Sequence, residues 1–336
     1  MEAKEIDICI CFYNTPLNYF KKCLNSVINQ TNKNFNLILL NDGSTDTNIE
    51  EYLNNEILNK NFGFDISYHK QENKQLFFSR IEILKFTVSE YIYYFDSDDI
   101  LKPDAIDNMI EAIYTNKFGC KADIFSFGAD MIREGKIKNN FISFRQFGLI
   151  TNDKCDYNIL NFFFDKYGGW NIVMWNKIYR ASLLKEIYFE VYDELNEKNS
   201  FFEHEDCLHN ILIFIHTNSF LEIEKNIITH RLDENRYVNN TDVTINKNKE
   251  LFYKIIYLNN LIKIIRNKKI IKNKSNDYKR ILYKNLYICV YHEITDINYF
   301  IYKYSLEDYI KSIDINIDPS IKFDNGKLIF ENKNIL

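Results

Sequence analysis

No C-x-x-C pair occurs among the seven cysteines, Cys9, Cys11, Cys23, Cys120, Cys155, Cys207 and Cys289, and an odd number suits neither a disulfide framework nor a zinc ribbon. Reduced thiols in a cytoplasmic protein are therefore expected. No apolar run approaches the roughly 20 residues that a membrane span requires; Ile211 to Ile215 is among the longest. The opening residues Met1-Glu2-Ala3-Lys4-Glu5 lack the basic, apolar and small-residue order of a secretory leader. Positive charge is not in excess. Forty-two Lys and Arg against forty-seven Asp and Glu give a formal charge of -5, which excludes general phosphate neutralisation as a binding mode. Nucleic acid is not an expected partner. There is no internal repeat, and no Gly-rich, Lys/Arg-bearing phosphate loop follows the first apolar segment, "CFYNTPLNYF".

What is present is core-forming material: 46% hydrophobic and 16% aromatic residues over 336 positions predict one large domain with an appendage. Residues 6 to 131 alternate strand and helix signals. Ile8 to Phe12 reads as a strand, Pro16 to about Gln30 as a helix, and Phe35 to Leu40 as a second strand stopping at Asn41-Asp42-Gly43-Ser44. A strand around Ile66 to Tyr68, a helix from Phe77 to Ser89, the strand Tyr91 to Phe95 and a helix opened by Pro103 follow. This cadence predicts an α/β fold with a mostly parallel sheet flanked by helices. In such sheets ligands bind where strand carboxyl ends meet at a topological switch point. Asn14, Asp42 and the trio Asp96, Asp98 and Asp99 all follow strands, so three distant segments converge on one crevice.

The cadence loosens between 132 and 240, through Phe162-Phe163-Phe164, the segment Gly168 to Arg180 and a helix from about Glu203 to His216. We read 132–240 as the acceptor half of the domain that 1–131 begins, giving a unit of 1–240. From 241 to 336 the helical patterns Leu251 to Ile265 and Tyr278 to Tyr291 and the basic run Arg266-Asn267-Lys268-Lys269 predict a helical C-terminal region. Lys268, Lys269, Lys272 and Lys274 are candidates for peripheral contact with an anionic membrane.

The sharpest chemical signal is Phe95-Asp96-Ser97-Asp98-Asp99, three carboxylates within four residues after an aromatic strand. Like charges so close repel unless a cation or hydrogen-bond donors compensate, and hard oxygen ligands suit Mg²⁺ or Mn²⁺. A polar turn capping the Pro103 helix is the plainer account of the same residues. In the second half, Glu205-Asp206 opens a helix whose apolar stripe is Leu208, Ile211, Leu212 and Ile215. At ~100° per residue Asp206 falls nearly opposite that stripe and can face a cleft. Acidic residues there also complement the positive helix end.

These motifs together resemble family 2 of the glycosyltransferases. "YIYYFDSDDILKPD" (Tyr91 to Asp104) is similar to that family's strand, metal motif and Pro-started helix, "NDGSTD" (Asn41 to Asp46) to its Asp-Asp-Gly-Ser-Thr-Asp motif, and "ICICFYNT" to its opening strand. The resemblance implies a GT-A fold, Rossmann-like, with Cys11 and Tyr13 lining a nucleoside pocket and Asp42 contacting the base. "QENKQLFFSR" resembles Asn-x-Gly-Leu-x-x-Ala-Arg, which implies Asn73 near the base and Arg80 near the diphosphate. Asp96 would touch the ribose or share the metal, Asp98 would be the main metal ligand, and Asp206 the catalytic base. Trp175-Asn176-Lys177-Ile178-Tyr179-Arg180 resembles a segment that often precedes the family's Glu-Asp pair, with Trp170 or Trp175 either stacking on a sugar or filling the core. "THRLDENR" resembles an element that closes over the diphosphate, making His230, Arg231 and Arg236 candidates and His230 a further metal ligand. Departures are Cys11 for Pro, Asn41 for Asp, Gln75 for Gly and Ile81 for Asn.

The implied reaction is displacement with inversion from a UDP-sugar, with Mn²⁺ or Mg²⁺, onto a hydroxyl of a glycan acceptor, free or lipid-linked, in bacterial surface polysaccharide synthesis. A sugar nucleotidyltransferase on a similar sheet is disfavoured by the missing phosphate loop. A catalytically silent nucleotide- or glycan-binding module is the alternative of a different class.

Overall fold

Period-two alternation in β1 (Ile6–Phe12) sends Ile6, Ile8, Ile10 and Phe12 to one side and Cys9 and Cys11 to the other, and all seven residues are buried. A strand covered on both faces reads as a continuous apolar run rather than as apolar and polar in turn. The computed structural model describes residues 4–133, 135–142, 149–152, 173–191, 205–232, 274–280, 321–324 and 327–330, together with scattered positions between 159 and 163 and between 251 and 299.

On the Ile6 side lie α1 (Leu17–Ile28), which buries Phe20, Cys23, Leu24 and Val27 at helical spacing, and α4 (Ala105–Tyr114), which buries Ile106, Met109 and Ile113. Between them in sequence come β2 (Phe35–Asn41), α2 (Asn48–Tyr52), β3 (Ile66–Lys70), α3 (Gln75–Glu82), β4 (Tyr91–Tyr94) and β5 (Ile100–Leu101). On the Cys9 side α3 packs with α5 (Ala181–Val191) and α6 (Glu205–His216). The remaining strands are β6 (Ile124–Arg133), β7 (Lys136–Ile142), β8 (Leu149–Thr151), β9 (Lys177–Arg180) and β10 (Ser219–Arg231).

The sheet runs β3-β2-β1-β4-β9-β6-β10-β5, with β7 on β6 and β8 on β10. Its first four strands are parallel, as the cadence predicts. The second half is mixed: β9 is antiparallel to β4 and β6, β10 is parallel to β6, and β5, β7 and β8 pair antiparallel. Because β2 and β4 flank β1 on opposite sides, the chain reverses direction across the sheet there, and the crevice opens at the carboxyl end of β1 and β4. Since β9 from the later segment sits between β4 and β6, both halves of the expected unit share one sheet.

The helix expected over Phe77 to Ser89 is shorter. It ends at Glu82, continues as a 3₁₀ turn to Phe86, and stops where the Thr87 hydroxyl donates to the Leu84 carbonyl at 2.8 Å. Asp7 draws off the next amides: fully buried on β1, it accepts from the Val88 and Ser89 N–H groups (2.6 and 2.8 Å), the Ser89 hydroxyl (2.7 Å) and the Asn36 amide (2.8 Å). The helix expected at Pro103 begins at Ala105, after the two-residue β5. In the C-terminal region, Leu251, Ile255, Leu258, Ile262 and Tyr278 join the α6 core, as helical spacing predicts, and an unanticipated hairpin of β11 (Ile321–Asp324) and β12 (Lys327–Phe330) adds Ile321 and Leu328 to it. Lys268, Lys269 and Lys272 lie outside the described residues, whereas the Lys274 ammonium rests 4.8 Å over the Tyr278 ring. Among the described residues no helix is long and apolar enough to cross a membrane.

Removing the Asp7 carboxylate takes the acceptor from four donors, of which the Ser89 N–H and hydroxyl are buried, and a buried donor left without a partner costs about 1–3 kcal/mol. Asp7→Ala should lower the unfolding free energy by about 3 kcal/mol or more, read as a shifted urea midpoint at unchanged slope.

Candidate active site

Three turns meet at the crevice. The first, after β1, places Asn14 at φ 47°, a left-handed conformation that asparagine tolerates, and its side-chain oxygen accepts from the Thr45 and Asp46 N–H groups at 2.9 and 3.3 Å. The second, after β2, requires Gly43 at φ 75°, where an added Cβ would stand 2.6 Å from the Asn73 nitrogen. The 71–75 loop is thus seated directly on the Asn41 to Ser44 turn. Asp42 fastens it, one carboxylate oxygen accepting from the Gln71 amide at 2.7 Å and the Lys74 N–H at 2.8 Å. Gln75 takes φ 73°, so this loop keeps a glycine-like path despite the substitution noted in its motif.

Of the nucleoside candidates, Tyr13 is half exposed, Asn73 is exposed, and Asp42 and Cys11 are buried behind them. Burial raises the Cys11 thiol far above its ordinary range, so it contributes shape rather than charge.

Deeper in, the Arg80 guanidinium is almost fully buried. It pairs with Asp206 at the start of α6, with Asp96 at 3.3 Å and with Glu205 at 3.6 Å. Burial alone works against a charged guanidinium, but these three acids more than offset it. Glu205 responds in the opposite sense: burial, reinforced by Asp206, pushes it up to about 8 against the pull of Arg80.

Asp96 also belongs to a second cluster. Its carboxylate, that of Asp99 and the His230 imidazole offer ligand atoms all within 4.8 Å of one another. Asp99 is fully buried and receives His230 Nδ1 on both oxygens (3.0 and 2.9 Å) and the Arg231 N–H at 2.8 Å. Burial raises its carboxyl while His230 opposes that rise. The Asp98 carbonyl accepts from Arg231 Nε at 3.1 Å, and the Arg231 guanidinium lies 4.4 Å over the Tyr19 ring. Asp98 is buried next to the three-residue group and outside it.

The structure therefore brings Arg80, Asp96, Asp206 and His230 together, with Tyr13 and Asn73 along the neighbouring rim and Asp42 buried behind them. Sequence reasoning gave Asp99 and Glu205 no role of their own, although each lies in an acidic motif it had singled out. It also passed over the Met174 N–H, which donates to Asp206 at 3.3 Å and carries no side-chain signal. Trp175 is a core aromatic, stacked on His230 with ring centroids 4.3 Å apart and planes 11° apart. Trp170 and Arg236 lie outside the described residues.

Residues 7–188 match the family model described as Glycosyl transferase family 2. The chain is 28% identical over 187 residues to the putative glycosyltransferase EpsH of Bacillus subtilis, covering 55% of this chain and 49% of that one. It is also 28% identical over 194 residues to the glycosyltransferase GlyA of Streptococcus pneumoniae, covering 56% and 26%. The chain thus spans half or less of the length of these curated relatives. In fold it is similar to residues 1–349 of S. aureus TarS, with a TM-score of 0.52 at 16% identity over 98% of this chain and 97% of that one.

Glu205 gives the cluster a pH signature. Its carboxyl is protonated in the fold up to about 8 but only to about 4.5 when unfolded, so between those values the unfolded chain binds fewer protons and this group's contribution to stability falls as pH rises. Glu205→Gln should therefore gain stability relative to wild type as pH increases across that window, measured by urea unfolding at a series of pH values. A difference that stays flat with pH would be the contrary result.

Proposed function

The chain belongs to glycosyl transferase family 2, and on that premise we propose that it is an inverting, metal-dependent enzyme moving a sugar from a UDP donor to a hydroxyl of a glycan acceptor in bacterial surface polysaccharide synthesis. The observation that carries this reading is the buried Arg80 guanidinium spanning Asp96 and Asp206, which links the acidic turn after β4 to the acidic pair opening α6. A diphosphate entering the crevice competes with these carboxylates for Arg80, since a guanidinium fork suits phosphate oxygens as well as it suits carboxylates. Arg80 drawn onto the diphosphate leaves Asp206 able to take the acceptor proton as that oxygen attacks the anomeric carbon. The leaving nucleotide diphosphate gains charge where Arg80 is already oriented.

The nucleoside is assigned to the rim of Tyr13, Asp42 and Asn73, with Cys11 as its floor. UDP is supported by the family and by TarS, the fold neighbour, which has been solved with UDP and with UDP-GlcNAc. Two carboxylates and an imidazole within 4.8 Å are a donor set that fits Mn²⁺ or Mg²⁺. Asp96 and His230 are assigned as ligands, His230 being oriented through Nδ1 by Asp99 in the carboxylate-histidine manner of metal sites. Asp98, expected as the main ligand, is retained as a candidate beside them. When bound, the cation neutralises diphosphate charge as a Lewis acid. Residues 1–240 are assigned as the catalytic unit, and the acceptor is a glycan, free or lipid-linked.

A panel of UDP-sugars tested for hydrolysis and transfer should reveal a donor whose turnover EDTA abolishes and Mn²⁺ or Mg²⁺ restores. Asp206→Asn should lower kcat on that donor by about 10²–10⁴-fold, the range for losing a general base. Equal rates for the two proteins would leave a silent binding module as the better account.

A further inference from the structure

We propose that Lys177 is a positioning residue for this site, holding the Val173 to Asn176 turn in the conformation that presents the Met174 N–H to Asp206 and the Trp175 ring to His230. The proposal rests on the transferase reading for its kinetic part and on geometry alone for the rest. Lys177 begins β9 and is fully buried. Its ammonium donates to the Val173 carbonyl at 2.6 Å and to the Asn176 side-chain oxygen at 2.8 Å. Among the described residues no carboxylate lies within ion-pair distance of it. Burial pushes its ammonium down to about 7, with Asp206 and Glu222 opposing that fall from beyond contact distance, so a lysine is a costly choice where a methionine of similar length would fill the same space.

What the ammonium achieves is local: it closes the turn onto itself from within. On the opposite side Asn176 fixes the turn to β6, its amide donating to the Phe127 carbonyl at 3.0 Å and its own carbonyl accepting the Phe127 N–H at 2.9 Å. Between these two anchors the turn reaches the site through Met174 and Trp175. The Met174 N–H reaches Asp206 at 3.3 Å, and the Met174 sulfur meets the Asn210 amide at 3.2 Å, which also donates to the Asp206 carbonyl at 2.8 Å. The Trp175 ring lies flat on His230, and the Trp175 carbonyl accepts from the Tyr93 hydroxyl at 2.7 Å. One turn thus sets the direction of the proposed base and the tilt of the proposed imidazole ligand, and Lys177 fixes that turn without touching either.

The test is Lys177→Met, which keeps length and removes the donor, made beside the wild-type residue in a Trp170→Phe background where Trp175 is the remaining tryptophan of two. Its emission then reports the stack on His230. In the folded variant kcat for metal-dependent donor turnover should fall about tenfold to a hundredfold, as for small misplacements of reacting groups, with donor KM within about twofold. Trp175 emission should shift in parallel. Should Lys177→Met fail to fold, Lys177→Leu, which likewise removes the donor, is read the same way. A folded variant with wild-type kcat and emission overturns the proposal, as does a kcat loss with unchanged emission. Failure of both variants to fold also overturns it, because Lys177 would then serve the sheet and not the turn. If wild type turns over no donor, the functional reading fails, while the emission comparison still decides whether Lys177 holds the turn.

Discussion

A guanidinium in a dry interior is the constraint on which this crevice depends. Arg80 sits on α3, almost without solvent, and a charge so placed is tolerable only when anions surround it. The chain supplies them from two remote places, Asp96 after β4 and Asp206 on α6. Satisfying Arg80 therefore specifies how α6 docks on the sheet, and the two acidic motifs meet because neither α3 nor α6 can shift without exposing a buried charge. The surrounding core fits either role, being apolar and closely packed on both faces.

The same economy appears in the turns. Asn14, Gly43 and Gln75 adopt left-handed backbone conformations near the crevice, the first two just after β1 and β2 and the third at the start of α3. Left-handed residues other than glycine are costly and persist where the surroundings over-determine them. Asn14 is repaid by its bonds to the Thr45 and Asp46 amides, and the 71–75 loop that holds Gln75 by the Asp42 carboxylate. The glycine that the motif leads one to expect at 75 is thus dispensable because Asp42 grips the adjacent Lys74 amide.

These particulars also explain what was legible in the sequence. The parallel half of the sheet announces itself because each strand is a short apolar run ended by a polar turn, and Asp42 and Asp96 stand at such ends, while Asp206 opens a helix with a clear apolar stripe. The mixed half does not, since β9, β6 and β10 are ordered by pairing that no local period records. Asp7 illustrates the same blindness from the other side. A lone acid within an apolar strand gives no hint that it will cut short a helix some eighty residues later by capturing the Val88 and Ser89 amides. Asp99 was visible only as the third member of a run, and nothing in that run distinguishes the carboxylate that will turn inward to His230 from its neighbour Asp98. That distinction is made by β10, which delivers His230 and the Arg231 N–H to Asp99 across the antiparallel pairing with β5.

Asp96 is where the two clusters join, and its position determines the order in which charge can enter. It faces Arg80 on one side and the Asp99-His230 pair on the other. Counting Glu205 as protonated, Asp96, Asp98, Asp99 and Asp206 stand against Arg80 and Arg231 and the weakly held proton of Lys177 behind Asp206, an excess of acids before any ligand arrives. A diphosphate brought alone into such a field is repelled by the same carboxylates that hold Arg80 in place. Were a divalent cation held by Asp96 and His230, as proposed, it would supply positive charge there and weaken the hold of Asp96 on Arg80, leaving the guanidinium available to phosphate. In the proposed reading, metal and donor are therefore linked through one shared carboxylate, and the release of Asp206 follows from their joint arrival rather than from either alone.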